Sequence, residues 1–270
     1  METIIAFFHY IILGLVQGLT EPLPISSSGH LRIAQHYFDL AVPDLHVEVF
    51  LNFASLLAVF IVYKSDISEI VRGLIAYIKT KGQEGKASVR LTLLVIVGTI
   101  PAVVIGGLFA DFIGGSLTAI AIVGFALIIT GILLWLVRNL NGDKEEGDIT
   151  ITDAVIVGFA QAAALAPGIS RSGATLVAAL ARKIEPEVAL KYSFFLSIPV
   201  GFGSMIFTLE DVSAGVMNPE TMWLYLASFV VALVVSVFAI KVFIHVVTNG
   251  RLIYFAIYCF IVGGSLILFN

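Results

Sequence analysis

Long apolar segments constrain this chain more than any other feature, because a helix needs roughly 20 predominantly apolar residues to cross a bilayer. Six such segments lie at roughly 46–63, 89–110, 116–138, 187–209, 221–245 and 251–269. The chain is 59% hydrophobic and only 13% charged, which is more apolar than a water-soluble domain needs. The sequence therefore predicts an all-α polytopic membrane protein with six transmembrane helices.

Two further apolar segments are interrupted by polar residues. The first runs from about 4 to 38 and is broken at 21–30, and the second runs from about 151 to 182 and is broken at 167–175. Proline and glycine in these breaks end a helix. Broken backbone is tolerated within a membrane only where protein or a watery cavity covers it. The pattern therefore predicts two re-entrant helix hairpins.

The two broken segments are one pattern that occurs twice, 144 residues apart. Identical residues recur at this single spacing without a gap: Gly14 and Gly158, Gln17 and Gln161, Ile25 and Ile169, Ser26 and Ser170, Ser28 and Ser172, Gly29 and Gly173. This agreement predicts an internal repeat with halves at about 1–138 and 151–270. The polar linker 139–150 would act as a hinge between them, within a single membrane domain that spans 1–270.

The placement of Lys and Arg orients the chain, because cytoplasmic loops are rich in these residues. Segment 64–90 carries six of them, whereas 210–220 carries none. With 64–90 in the cytoplasm, the turn at 111–115 and both termini lie outside. The first hairpin then enters from outside and the second from inside, which makes an inverted-topology repeat whose breaks meet near the membrane midplane. The helically spaced residues 67–78 are expected to lie on the membrane surface.

Composition excludes several other classes of protein. The net charge of −4 argues against nucleic acid as a partner. The one cysteine, Cys259, lies in an apolar run, so disulfide bonds have no role. The chain begins without the basic region of a signal peptide, so we expect its first apolar segment to be retained.

The second break concentrates the donors that a phosphate group requires. Arg171 offers a planar fork of N–H donors, and Ser170, Ser172 and Thr175 add hydroxyls. A helix that restarts near Ser170 would direct free backbone amides and a positive dipole end towards the break. Intramembrane charges mark functional sites by default, so we expect an anionic phosphate group here. The structural alternative is that Arg171 pairs with a buried carboxylate.

The first break adds groups for chemistry on that phosphate. Ser27 could be a nucleophile activated by His30, or His30 could attack phosphorus directly. Glu21 could orient His30 or take a proton itself. The structural alternatives are a Glu21–Arg171 ion pair, a core histidine, and serines that cap helices. The residues assigned to catalysis are Glu21, Ser27, His30 and Arg171, and those assigned to substrate binding are Gln17, Ser26, Ser28, Ser170, Ser172 and Thr175.

These residues carry a family resemblance. Segments 17–30 (QGLTEPLPISSSGH) and 167–175 (PGISRSGAT) resemble the two signature motifs of the undecaprenyl-diphosphate phosphatase family, the bacitracin-resistance type. The resemblance extends to 100–102 (IPA), 193–196 (SFFL) and 255–258 (FAIY). It implies six spans with two re-entrant hairpins, and removal of the terminal phosphate from a lipid diphosphate that carries cell-wall precursors. It also implies active-site roles for Glu21, Ser27, His30, Ser170, Arg171, Ser172 and Thr175.

The resemblance further implies a divalent cation, Mg²⁺ or Ca²⁺, and no organic cofactor, although the sequence shows no dedicated carboxylate cage. Two positions depart from the family pattern. Gln17 stands where members have Glu or Gln, which leaves one carboxylate fewer for a metal. Cys259 stands where many members have Arg, so the diphosphate would be bound differently here or the lipid would differ in length.

A second functional hypothesis comes from the inverted repeat alone, which is typical of transporters. The chain would then be a transporter or flippase of a phosphorylated polyprenol. Under both hypotheses the partners are a polyprenyl diphosphate lipid and the cell membrane, and the site faces the outside. The sequence leaves open whether the protein forms a homodimer. Glu48 could line the entrance to the site or be simply exposed.

Overall fold

The computed structural model describes residues 2–38, 45–116, 120–213 and 222–269. Within these ranges the chain forms α-helices joined by turns, with a short 3₁₀-helix at Glu146–Asp148. The helices are α1 Glu2–Thr20, α2 Ser27–Phe38, α3 Leu45–Val62, α4 Lys64–Lys79, α5 Lys86–Ser116, α6 Ile120–Val137, α7 Ile151–Ala163, α8 Arg171–Ala181, α9 Pro186–Ser213, α10 Met222–Thr248 and α11 Ile253–Phe269.

The protein is an all-α polytopic membrane protein. In the described ranges, four helices are long and apolar enough to cross a membrane, and they lie within α5, α6, α9 and α10. A fifth candidate arises if α3 and α4 are counted as one span, although the two helices are bent by 77°. Helix α11 is apolar but only 17 residues long. The total of six spans therefore stays a prediction.

Both predicted helix breaks are confirmed. Helix α1 ends at Thr20 and α2 begins at Ser27, and α7 ends at Ala163 and α8 begins at Arg171. The amphipathic segment 67–78 forms α4, in which no residue is buried. Its position on a membrane surface stays a prediction.

The expected turn at 111–115 is wrong. Residues 111–115 are helical, within α5. The interruption lies earlier, at a kink at Phe109 with φ −120° and ψ 18°, where two helical segments meet and the apolar span ends. The predicted 210–220 loop is helical as far as Ser213, and its remaining residues lie outside the described part of the chain.

The helix that precedes each break packs closely against a helix from outside that broken segment. Helix α1 packs along α10 and α7 along α5. A side chain on Gly14 would collide with the Ser228 carbonyl, and one on Gly158 would collide with the Gly98 carbonyl. Gly14 and Gly158 are equivalent at the 144-residue spacing, so the repeated glycine serves the same close helix contact in both halves.

The linker is held by a buried carboxylate in the first turn of α7. Asp153 is 0% exposed and accepts hydrogen bonds from Lys144 Nζ at 3.0 Å and from Arg182 Nε at 2.7 Å. Thr150 also donates to it in a capping box. Burial alone would raise the pKa of Asp153, but the hydrogen bonds from Thr150, Arg182 and Lys144 outweigh burial and hold the pKa well below its ordinary value. Ion pairs to Asp153 therefore connect the linker, α7 and the end of α8.

Candidate active site

The two helix breaks lie against each other. Ser172 Oγ in the second break donates to the Leu23 carbonyl in the first at 3.1 Å. In the opposite direction, Gly168 N donates to Ser28 Oγ at 3.4 Å. Polar groups of the two interrupted helices are thus partly satisfied by the opposite break.

Equivalent serines cap the helices that follow the breaks. Ser26 Oγ accepts from Gly29 N at 3.2 Å, and Ser170 Oγ accepts from Gly173 N at 3.1 Å. The cap alternative is therefore confirmed for both residues. Each also contributes to the wall of a cavity between the breaks, so capping and a role in the site are compatible.

The backbone of the breaks differs despite the matching sequence. Gly168 takes the left-handed conformation in the second break, with φ +90°. At the equivalent point the first break has Pro24, which cannot adopt a positive φ. Ser26 instead is left-handed with φ +68°, whereas its equivalent Ser170 is extended at φ −74°. The left-handed residue is therefore two positions later in the first break.

Two cavities share Glu21, Asn52 and Arg171 in their walls. One of them also includes Ser26, Ser27, Ser28, Glu48 and Ser170. The other extends to Ser172 and to Ser193 and Ser197 on α9. Of the two alternatives left open for Glu48, simple exposure is wrong, because the residue is half-buried and lies in the wall of a cavity. The breaks, α3 and α9 enclose a polar space within an apolar helical assembly.

Glu21 is the group that engages the Ser27 hydroxyl. Ser27 Oγ donates to the Glu21 carboxylate across six residues of the break. Gln17 Nε2 donates to the same oxygen at 3.1 Å and also contacts Asn52 Oδ1. A carboxylate in this position can orient the serine hydroxyl and receive its proton.

His30 does not form the expected pairs with Ser27 and Glu21. Its Nδ1 lies 2.8 Å from the Ser26 carbonyl, and its Nε2 lies 2.6 Å from the Tyr258 hydroxyl. The His30 and Tyr258 rings stack with centroids 5.6 Å apart, and His30 lines neither cavity. The ring is therefore bonded to the Ser26 carbonyl and to Tyr258 on α11 rather than to Ser27.

Arg171 is available to an anion. It is half-buried at the first position of α8 and lines both cavities. Among the described residues, no carboxylate lies within ion-pair distance of its guanidinium, and no protein acceptor bonds it. In the part of the chain that the structure describes, Arg171 therefore forms no buried ion pair with Glu21 or with another carboxylate, and that structural alternative is wrong.

Thr175 is a residue predicted to bind substrate whose side chain does not reach either cavity. Its side chain is buried, and its hydroxyl donates to the Arg171 carbonyl at 2.9 Å within the same helix. The donor is thus used for helix geometry, and direct substrate contact by Thr175 has no support.

Asn52 and Tyr258 are site residues that the sequence assignment missed. Asn52 follows Glu48 by one helical turn, and Ser55 continues the same polar face along an otherwise apolar helix. That spacing is a signal that could have identified Asn52. Tyr258 belongs to the 255–258 segment, but nothing local connects its hydroxyl with His30, which is 228 residues away.

The oxygen donors in the site suit a hard cation only in part. Glu21, Glu48 and Asn52 line one cavity, and Gln17 Oε1 beside them is buried without a protein partner. The described residues contain no group of three or more His, Cys, Asp or Glu side chains that could hold a metal. These donors fit a Mg²⁺ or Ca²⁺ that is shared with phosphate oxygens, because Mg²⁺ commonly uses one or two carboxylates together with its substrate.

Comparison with known proteins identifies the family. Residues 10–265 match the family model described as bacitracin resistance protein BacA. The chain belongs to this family. It is 42% identical over 270 residues, 100% of both chains, to a Bacillus thuringiensis protein named undecaprenyl-diphosphatase 2. A Bacillus licheniformis undecaprenyl-diphosphatase 1 is 43% identical over 266 residues, 98% of both chains. An Oceanobacillus iheyensis undecaprenyl-diphosphatase is 44% identical over 264 residues, 97% of this chain and 96% of the relative.

The structure shows the surroundings of Cys259, the residue that departs from the arginine of many BacA family members. Cys259 is 0% exposed, and its Sγ lies 3.9 Å from the Pro24 carbonyl in the first break. It lines neither cavity. The thiol therefore fills space behind the break.

Proposed function

We propose that this membrane protein is an undecaprenyl-diphosphate phosphatase, which hydrolyses the lipid diphosphate to the monophosphate and so recycles the lipid carrier of cell-wall synthesis. Membership of the BacA family and the names of its relatives support this activity. The observation that carries it is a serine hydroxyl held on a carboxylate, in a cavity that also contains an arginine with no bonding partner among the described residues.

The proposed reaction begins at Ser27. Its Oγ attacks the terminal phosphorus while Glu21 takes the hydroxyl proton. The bond from phosphorus to the bridging oxygen breaks, and the lipid leaves as a monophosphate. Glu21 gives the proton to the departing lipid monophosphate and is again a carboxylate. Water then attacks the phosphoserine while Glu21 takes a proton from it, the bond from phosphorus to Ser27 Oγ breaks, and the proton passes to Oγ, which releases phosphate and restores Ser27. Arg171 stabilises charge on the phosphoryl oxygens in both steps.

The remaining polar groups of the cavity would bind and orient the diphosphate. Ser28, Ser170 and Ser172 present hydroxyls from both breaks. Glu21 and Glu48 would hold a Mg²⁺ or Ca²⁺ together with the substrate. A cation held in this way would neutralise charge on the diphosphate.

The proposed topology has six spans, with the two hairpins re-entering the membrane from opposite sides as an inverted repeat. The contact between the breaks and the equivalent packing of Gly14 and Gly158 support this arrangement. The basic segment 64–90 is placed in the cytoplasm. The site then opens towards the outside, where the first hairpin enters.

Transport is the second candidate function, because paired helix breaks in repeated halves also occur in carriers. A carrier needs Arg171 and hydroxyls to hold its anionic headgroup, but it does not need a serine bonded to a carboxylate. The Ser27–Glu21 bond therefore favours hydrolysis. If the protein bound undecaprenyl diphosphate without releasing phosphate, transport would become the better account.

The deciding experiment measures phosphate released from undecaprenyl diphosphate by the purified protein in detergent. We expect Ser27→Ala and Glu21→Gln each to lower turnover by at least about 10²-fold. Arg171→Lys should lose about 10²–10³-fold, nearly as much as Arg171→Ala, because Lys keeps the charge without the donor fork. Ser68→Ala on the exposed helix α4 is the matched control. A Ser27→Ala protein with near-normal turnover would contradict the mechanism.

A further inference from the structure

The His30 imidazole is held by a partner at each ring nitrogen. A carbonyl oxygen only accepts hydrogen bonds, so the 2.8 Å contact with Ser26 assigns the proton to Nδ1. In the neutral ring Nε2 is then an acceptor, and the Tyr258 hydroxyl at 2.6 Å is its donor. Both nitrogens are thus engaged, and neither has a free position for a substrate or for Ser27.

The carbonyl that His30 holds belongs to the strained residue of the first break. Ser26 has φ +68°, a conformation that side chains other than Gly and Asn rarely adopt. The backbone N–H of His30 also donates to this carbonyl, at 3.2 Å. Two donors from one residue therefore hold the carbonyl of the left-handed Ser26.

The second break provides an internal comparison. At the 144-residue spacing, Ser170 corresponds to Ser26 and Ala174 corresponds to His30. Ser170 has an ordinary φ of −74°, and Ala174 has no side-chain donor. The imidazole therefore occurs in the half where the serine is left-handed and is absent in the half where it is relaxed.

The held peptide group directly precedes Ser27. Rotation of the Ser26–Ser27 peptide would move the Ser27 hydroxyl away from Glu21, and small misplacements of reacting groups are costly in rate. We propose that His30 is a positioning residue: it holds the Ser26 carbonyl by a hydrogen bond and so maintains the bond from the Ser27 hydroxyl to the Glu21 carboxylate. Tyr258 orients the His30 ring for this role. This proposal rests on the proposed phosphatase function.

The first test compares His30→Asn with His30→Ala, because the Asn amide nitrogen can replace Nδ1 as a donor whereas Asn cannot act as base or nucleophile. We expect His30→Ala to lower kcat about 10–100-fold, as loss of a supporting partner does, with KM within about twofold. We expect His30→Asn to recover to within about fivefold of the wild type and to keep its pH–rate profile. The exposed His245, changed to Asn, is the matched control.

The second test is a double-mutant cycle with Tyr258→Phe. Loss of one ordinary hydrogen bond should lower kcat about 2–10-fold in the wild-type background. In the His30→Asn background the same change should have no effect, because Asn has no atom in the place of Nε2. An equal loss in both backgrounds would show that Tyr258 acts independently of residue 30 and would overturn its assigned role.

These experiments distinguish failure of the positioning role of His30 from failure of the proposed phosphatase function. If the wild type releases phosphate and His30→Asn is as inactive as His30→Ala, His30 acts chemically and the positioning role is wrong. A wild type without phosphatase activity would overturn the proposed function and this inference with it. Melting temperatures of all variants in detergent show whether a loss of activity reflects loss of the fold.

Discussion

The two repeated glutamines allow a controlled test of buried polar groups in this protein. Gln17 and Gln161 are equivalent in the repeat, and they are 0% and 1% exposed. Gln17 Nε2 bonds to Glu21 and Asn52. In the described part of the chain, neither side-chain atom of Gln161 has a hydrogen-bond partner. The same residue type is therefore partly satisfied in one half and unsatisfied in the other.

The expected effects of substitution have opposite signs. A buried amide without a compensating hydrogen bond costs about 1–3 kcal/mol on the scale of protein mutations. Met has nearly the length and volume of Gln, so Gln161→Met removes the polar atoms without creating a large cavity. We expect a gain of about 1–2 kcal/mol, or about 2–8 °C in melting temperature for a chain of this size. Gln17→Met should lower the melting temperature, because Asn52 and Glu21 lose a shared donor.

The assay is thermal unfolding of both variants in one detergent, followed by intrinsic fluorescence, with phosphate release measured on the same samples. Gln161→Met should retain turnover, since Gln161 lines neither site cavity. Gln17→Met should lose turnover together with stability. If Gln161→Met lowered the melting temperature, the amide would have a bonding partner in the folded protein, and the argument from its unsatisfied atoms would be refuted.

Two further predictions concern the linker and the topology. Because the pKa of Asp153 is lowered on folding, its contribution to stability is present above the ordinary carboxyl pKa of about 3.9 and is lost as pH falls below it. Asp153→Asn should therefore lower the free energy of unfolding at neutral pH by about 3 kcal/mol, measured as a lower melting temperature, and the difference from the wild type should shrink below about pH 4. An unchanged difference at low pH would contradict the assigned ion pairs. An impermeant thiol reagent added to intact cells should label Ile4→Cys, which is exposed near the amino terminus. It should not label Gln83→Cys in the basic segment. Labelling of Gln83→Cys without permeabilisation would show that the protein has the opposite orientation in the membrane.

The helix breaks could be predicted from sequence because their causes are local. Pro167 and Gly168 cannot continue a helix, and Ser170 followed by free backbone amides is a standard cap. The repeated glycines predicted the equivalence of the two halves, and the structure shows that Gly14 and Gly158 each permit a close helix contact. These features depend on one residue and its immediate neighbours, so one sequence suffices to find them.

The side-chain pairing in the first break could not be predicted in the same way. The short separation of Ser27 and His30 suggested that they pair, but the His30 ring bonds to the carbonyl of Ser26, which is left-handed, and to Tyr258. A serine gives no sequence signal for a positive φ, unlike Gly168 in the second break. Tyr258 completes the His30 environment from the opposite end of the chain, and such a contact depends on tertiary packing alone.

The differences between the two breaks determine what the joined site can do. The repeat keeps the serines that cap the following helices, so both breaks form the same helix start and contact each other. It differs at three functional positions: Glu21 against Leu165, Ser27 against Arg171, and His30 against Ala174. Two identical breaks could bind an anion, but a nucleophile beside a base must face a cation to cleave a phosphoric anhydride. The first break supplies the hydroxyl and carboxylate while the second supplies the guanidinium, so each half of the repeat contributes the group that the other lacks.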